Sequence, residues 1–180
     1  MEQVTAGVIR RFLERLGEQL EQPGAFYLLG GGALCLLGSP RETLDVDYMI
    51  DVDPNLGKPL QDLIDKLADE MQLDLEAVPL PEFIPLPPGA EGRKLHIAHY
   101  GQLEVYIFDL YSVALSKIAR GFEADLEDVY FLLDEGFVRI EDLERLFEVI
   151  IPKVAEKDID PQEFRAYFEE VKRRWGKRTA

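Results

Sequence analysis

The chain has 180 residues, of which 47% are hydrophobic and 31% charged, the balance of a globular domain rather than a disordered segment. Its formal net charge of −15 weighs against sequence-independent nucleic-acid binding, which depends on Lys and Arg neutralising phosphates. No apolar run approaches the roughly 20 residues that cross a bilayer, the N-terminal stretch lacks a signal peptide's apolar core, and a single cysteine, Cys35, excludes an internal disulfide; together these predict a cytoplasmic protein.

Val8, Phe12 and Leu16 recur every four residues, with Ile9, Leu13 and Leu20 alongside, predicting an amphipathic helix over residues 4–20 that stops at Pro23-Gly24. Residues 25–29 form a short apolar run bounded by glycine, consistent with a buried strand. Gly30, Gly31 and Gly32 predict a tight turn, residues 33–37 a short helix, and Gly38-Ser39-Pro40-Arg41 a loop. From 44 to 52 the sequence alternates: Leu44, Val46, Tyr48, Ile50 and Val52 share one face, and Asp45, Asp47, Met49 and Asp51 the other, which is the period of a strand.

Leu60, Ile64, Leu67 and Met71 mark a helix, and Leu73, Leu75 and Ala77 a further strand. Residues 78–92, with five prolines and two glycines, read as a loop inside the domain. Residues 94–100 and 103–108 flank Gly101-Gln102 as a hairpin. The remainder reads as helices over 112–120, 125–135, 141–157 and from Pro161 to about 175, with glycine stops at Gly121 and Gly136 and a capping box at Asp160-Pro161-Gln162-Glu163. This order predicts a domain over residues 1–135 and a C-terminal helical extension over 136–180 packed on it.

The chemistry concentrates at Asp45 and Asp47. Carboxylates at i and i+2 of a strand point the same way, repel each other, and are stable chiefly with a cation between them. The competing reading is a solvated acidic strand face. Position favours the first: Gly31 and Gly32 precede Asp45 with twelve residues between, and glycine amides at a helix start suit a phosphate. Ser39, Arg41 and Thr43 lie in the intervening loop, where Arg41 suits paired hydrogen bonds to a triphosphate. A third carboxylate is expected on a neighbouring strand. Glu104 is the choice; Asp109 is the alternative, and equally the N-cap of the next helix. Lys117 is placed to reach a phosphate or, alternatively, to face its own helix C-terminus. His96 and His99, three apart on a strand, are expected on opposite faces and so not to share a metal. The glycine segment lacks the Gly-Lys-Ser/Thr ending of a Walker A loop, and Gly-Ser-Pro is not a nucleophile elbow.

The segment LLGGGALCLLGSPRETLDVDYMID resembles the core of the polymerase-β-like nucleotidyltransferase superfamily, and most the small bacterial and archaeal nucleotidyltransferase-like proteins related to type IV toxins and minimal nucleotidyltransferase antitoxins. The resemblance rests on Gly31, Gly32, Arg41, Thr43, Asp45 and Asp47, and on a second block, LSKIARGFEADLEDVYFLL, carrying Lys117, Arg120, Asp125 and Asp128. It implies an α+β fold, a mixed β-sheet backed by helices with a helical C-terminal extension. It also implies Mg²⁺- or Mn²⁺-dependent transfer of a nucleoside monophosphate from an NTP, with catalytic metal ligands Asp45, Asp47 and Glu104 and nucleotide contacts at Gly31, Gly32, Ser39, Arg41, Thr43 and Lys117. The acceptor would be an RNA end, a protein or a small molecule, in a setting that includes toxin–antitoxin pairs. The alternative is a nucleotidyltransferase-fold module that acts by contact.

Overall fold

The apolar stripe Ile9, Phe12, Leu13 and Leu16 is buried along helix α1 (Ala6–Gln19), whose first turn is capped by Thr5 Oγ accepting from the Val8 amide at 3.2 Å. The structure is a computed structural model that describes residues 3–180. After α1 come β1 (Gly24–Leu28), α2 (Gly30–Leu36), β2 (Asp45–Asp51), α3 (Gly57–Met71), β3 (Asp74–Ala77), α4 (Leu80–Phe83), β4 (Leu95–Tyr100) and β5 (Leu103–Ile107). Helices α5 (Leu110–Arg120), α6 (Glu123–Asp134), α7 (Ile140–Ile150) and α8 (Pro161–Arg178) follow. The chain divides into two compact units, Met1–Val78 with Lys94–Phe108, and Pro79–Arg93 with Asp109–Ala180.

The first unit holds a five-stranded mixed sheet of order β3-β2-β1-β5-β4. β1 runs antiparallel to β2 and parallel to β5; β2 and β3 are parallel, and β4 and β5 antiparallel. Strand alternation sorts the side chains. Phe26, Leu28, Val46, Tyr48, Val105 and Ile107 are fully buried on one face. There the Phe26 ring stacks on Tyr48 at 5.0 Å and meets Phe12 of α1 edge-on at 6.1 Å. Gln61 of α3 donates to the Tyr48 hydroxyl at 2.6 Å, so α1 and α3 cover this face. Each such large apolar side chain contributes about 1.5–3 kcal/mol by leaving water. The opposite face carries Asp45, Asp47, Met49, Tyr27, Glu104 and Tyr106, none of them fully buried.

The second unit is helical. Phe147 of α7 stacks on Phe168 at 4.4 Å and meets Phe164 edge-on at 4.9 Å, joining α7 to α8. Asp160 caps α8 by accepting from the Gln162 and Glu163 amides, as the capping pattern predicts. Two expectations change. The helix predicted over 141–157 ends at Ile150 and continues as a tighter 3₁₀ segment, Ile151–Lys157, because Pro152 has no amide proton to continue the α ladder. The proline-rich stretch 78–92 is not a bare loop: it contains α4, opened by prolines whose fixed φ suits a first turn, and a 3₁₀ turn over Ala90–Arg93.

Candidate metal and nucleotide site

The turn from β1 into α2 lies against β2. The Leu29 amide donates to the Asp47 carbonyl at 2.9 Å, closing the antiparallel pair just before the glycines. Helix α2 starts at Gly30 itself, two residues before the expected end of the turn. Gly30 has φ of +53°, and a methyl group there would sit 2.1 Å from Asp47 Oδ2. A methyl on Gly31 would lie 2.7 Å from the Thr43 hydroxyl. Gly32 packs on Val46 and Ile9. The first helical bond of α2 runs from Ala33 to Leu29, so the Gly30, Gly31 and Gly32 amides occupy the turn in which a helix provides no internal acceptor. Glycine thus serves close approach: it lets this turn touch the acidic strand.

On β2, Asp45 and Asp47 point to the open face and are half-buried. Thr43, which is buried, donates from Oγ to the Asp45 carbonyl at 3.0 Å and lies 3.2 Å from Asp45 Oδ1, fixing the carboxylate's direction. β3 then adds a partner. In its parallel register Asp45 faces Asp74 and Asp47 faces Glu76, and paired residues of parallel strands share a face. One carboxylate oxygen each from Asp45, Asp47 and Glu76 lies within 4.8 Å of the other two. Three carboxylates this close suit a hard divalent cation bound through oxygen, Mg²⁺ or Mn²⁺, that leaves coordination positions for phosphate oxygens. The half-buried pair would hold the ion from beneath and the exposed Glu76 from the edge.

The structure does not bring Glu104 to this group. β5 pairs with the other side of β1, and Glu104 faces Ala25, which faces Asp51 across β1 and β2. That puts it four residues, about 13 Å, further along the sheet than Asp47. There Glu104 sits between His96 Nε2 at 2.7 Å and His99 Nδ1 at 2.6 Å. The two imidazoles, His96 first, hold its carboxyl below the usual carboxylate range. The expectation that these histidines face opposite sides also fails. A bulge shifts the register between His96 and Ala98, so both rings reach the same carboxylate.

Asp109, the alternative ligand, takes the other role weighed for it. It is fully buried and caps α5, accepting from the Tyr111 amide and from the amide and hydroxyl of Ser112. Arg93 Nε and Nη2 each donate to it at 2.8 Å. This bidentate pair raises the Arg93 pKa further. Lys117 is buried, and its ammonium lies 2.8 Å from Asp128 and 3.4 Å from Asp125, so the structure commits it to carboxylates rather than leaving it to meet a phosphate. Ser39 Oγ accepts from the Arg41 amide at 3.3 Å, shaping the loop that exposes Arg41.

Glu76 is the member of this acidic group that the sequence reading does not name. Its signal was present. Asp74-Leu75-Glu76 repeats the i, i+2 acidic spacing of Asp45-Val46-Asp47, and a strand–helix–strand connection through α3 places consecutive strands parallel and adjacent.

Replacing Gly30 by alanine tests the close approach. Left-handed backbone costs a non-glycine residue about 1–2 kcal/mol, and the Asp47 carboxylate, the movable partner, must turn away from the methyl group. The expected result is a lowered melting temperature together with weakened Mn²⁺ binding by calorimetry. Binding at wild-type strength would show that Asp47 does not depend on the bare turn.

No curated protein and no solved structure matches the chain. The family model that does match spans residues 8–176, and its description is nucleotidyltransferase of unknown function, DUF6036. With a glycine turn against an Asp-x-Asp strand and nearly the whole length matched, the chain belongs to this nucleotidyltransferase family.

Proposed function

We propose that the protein is a metal-dependent nucleotidyltransferase that moves a nucleoside monophosphate from an NTP to an acceptor hydroxyl. The observation that carries this reading is the convergence of Asp45, Asp47 and Glu76 within 4.8 Å beside the glycine turn. In the reaction an acceptor oxygen bonds to the α-phosphorus as the bond to pyrophosphate breaks. A bound divalent ion supplies charge neutralisation on the phosphates and lowers the pKa of the attacking hydroxyl. The chain's own groups position the parts. Asp45, Asp47 and Glu76 hold the ion, and Thr43 orients Asp45. The Gly30–Gly32 amides and Arg41 receive the β- and γ-phosphates. The acidic chain favours a protein hydroxyl or a small molecule over a long nucleic acid as acceptor. No helix among the described residues is long and apolar enough to cross a membrane, and the reading places the reaction in the cytoplasm.

The competing reading is a fold retained for contact alone, as in an antitoxin-like module. A complete set of three carboxylates counts against it, since a contact surface has no need to hold mutually repelling charges together.

The test is label transfer from each α-labelled NTP with Mg²⁺ or Mn²⁺, using total RNA and candidate protein partners as acceptors, beside an Asp47→Asn variant. Metal coordination supplies several kcal/mol to such a transition state, so the variant is expected to lose at least about a hundredfold. Equal labelling by both proteins, or no NTP binding by the wild type in calorimetry with metal present, would overturn the proposal.

A further inference from the structure

The open face of the sheet carries more than the acidic group. Tyr27 on β1 and Tyr106 on β5 are cross-strand partners in parallel register, and their rings lie 5.3 Å apart with 19° between their planes. Both are half-buried on the face that carries Asp47. The exposed Lys94 places its ammonium over both, 4.5 Å from the Tyr106 centroid and 5.8 Å from that of Tyr27. Phe108 meets Tyr27 edge-on at 6.1 Å and fixes the ring's tilt. The α1 and α3 helices that bury the other face do not explain this arrangement. The His96 ring meets Tyr106 edge-on at 5.3 Å, so the half-buried pair is bordered by two ring edges and topped by one exposed ammonium, an aromatic surface of the kind that suits a flat π-system.

Its position relative to the carboxylates follows from the register. Tyr27 pairs with Met49, which lies two residues beyond Asp47 on β2. The pair is therefore displaced from Asp47 by roughly 7 Å along the strand and about 5 Å, one strand spacing, across it. A base seated on this pair would be separated from phosphates at Asp45, Asp47 and Glu76 by about the span of a ribose.

We infer that Tyr27 and Tyr106 form the seat of the nucleobase, an inference that rests on the reading of the acidic group as the metal–phosphate site. The base lies against the tyrosine rings, and the Lys94 ammonium swings off them on its flexible stem towards the incoming anion. Stacking senses a π-face rather than hydrogen-bonding edges, so the seat discriminates weakly among the bases. The acidic group sets phosphate affinity and the tyrosines set what the nucleoside adds.

The test separates the two contributions. Calorimetry measures binding of Mg-ATP and of Mg-tripolyphosphate, which has no base, to the wild type and to Tyr27→Leu, Tyr106→Leu and Tyr106→Phe. The wild type is expected to prefer ATP. Each leucine variant is expected to lose roughly tenfold in ATP affinity, the scale of one base–aromatic stack, with tripolyphosphate binding unchanged. Tyr106→Phe keeps the ring and is expected to keep the preference, which controls for folding. An unchanged ratio of ATP to tripolyphosphate affinity in both leucine variants would overturn the base seat and leave the metal–phosphate reading standing. A wild type that binds neither ligand would overturn both.

Discussion

Glu76→Gln is expected to reduce nucleotide transfer by about a hundredfold or more, while Glu104→Gln leaves it within a few-fold of wild type. The two glutamates lie on the same face of one sheet, and strand order together with position along the strands separates them. Glu76 stands in register with Asp47 on the adjacent parallel strand, its carboxylate within 4.8 Å of the pair. Glu104 lies beyond β1 and is held by two imidazoles. Removing one charge from an oxygen-ligand set takes away part of several kcal/mol of transition-state stabilisation, and each 1.36 kcal/mol is tenfold in rate. Steady-state transfer rates at saturating metal, with Mn²⁺ affinity by calorimetry as the second readout, decide it. Equal losses in the two variants would mean that the third ligand is not chosen by strand pairing.

Lys117→Met is expected to destabilise the protein by about 3–5 kcal/mol, the cost of leaving buried carboxylates without their counter-charge. The Lys117, Asp125 and Asp128 side chains are 7%, 5% and 2% exposed, so water does not screen the loss. Arg120 approaches Asp125 at 3.2 Å but is itself largely exposed and does not replace a buried ammonium. Asp128→Leu added to Lys117→Met is expected to recover part of the stability, because an apolar side chain needs no partner there. Chemical denaturation with and without NTP measures both effects. A structural role predicts the same loss in each condition. A loss confined to nucleotide binding, with unchanged denaturation, would return Lys117 to a phosphate-contacting role.

Much of the architecture was readable because periodicity is local. The alternation of residues 44–52 and the four-residue stripe of α1 are properties of neighbours in sequence, and they fix which face is buried before any long-range contact forms. The glycine turn and the placement of Asp45 and Asp47 on one strand face were legible for the same reason. What was not legible depends on pairing. Spacing alone favours the hairpin strand as the neighbour of β2, whereas β1 separates them and the hairpin strand lies on its far side. The histidine pair was misjudged because period-two reasoning assumes an unbroken ladder, and a single extra residue near Ile97 reverses its conclusion. Asp109 admitted two roles, and the deciding fact, an arginine sixteen residues earlier in the chain that binds it on two atoms, has no signature in spacing. Pro152, by contrast, was visible in the sequence, and its lack of an amide proton accounts for the early end of α7.

The four-residue strand β3 is one edge of the sheet, and it carries one of the three clustered carboxylates while its inner neighbour β2 carries the other two. An ion held by all three therefore staples a sheet margin to its interior. Such an ion would favour the zippered margin by the same factor by which zippering favours the ion, and a change that frays the margin would weaken binding in proportion to the zippered fraction lost. Peeling back four residues is a far smaller event than unfolding a domain. If the three carboxylates bind an ion as proposed, its affinity would depend partly on the fraying free energy of a short ribbon, and mutations on the strand's outer side that fray it would weaken binding without touching a carboxylate.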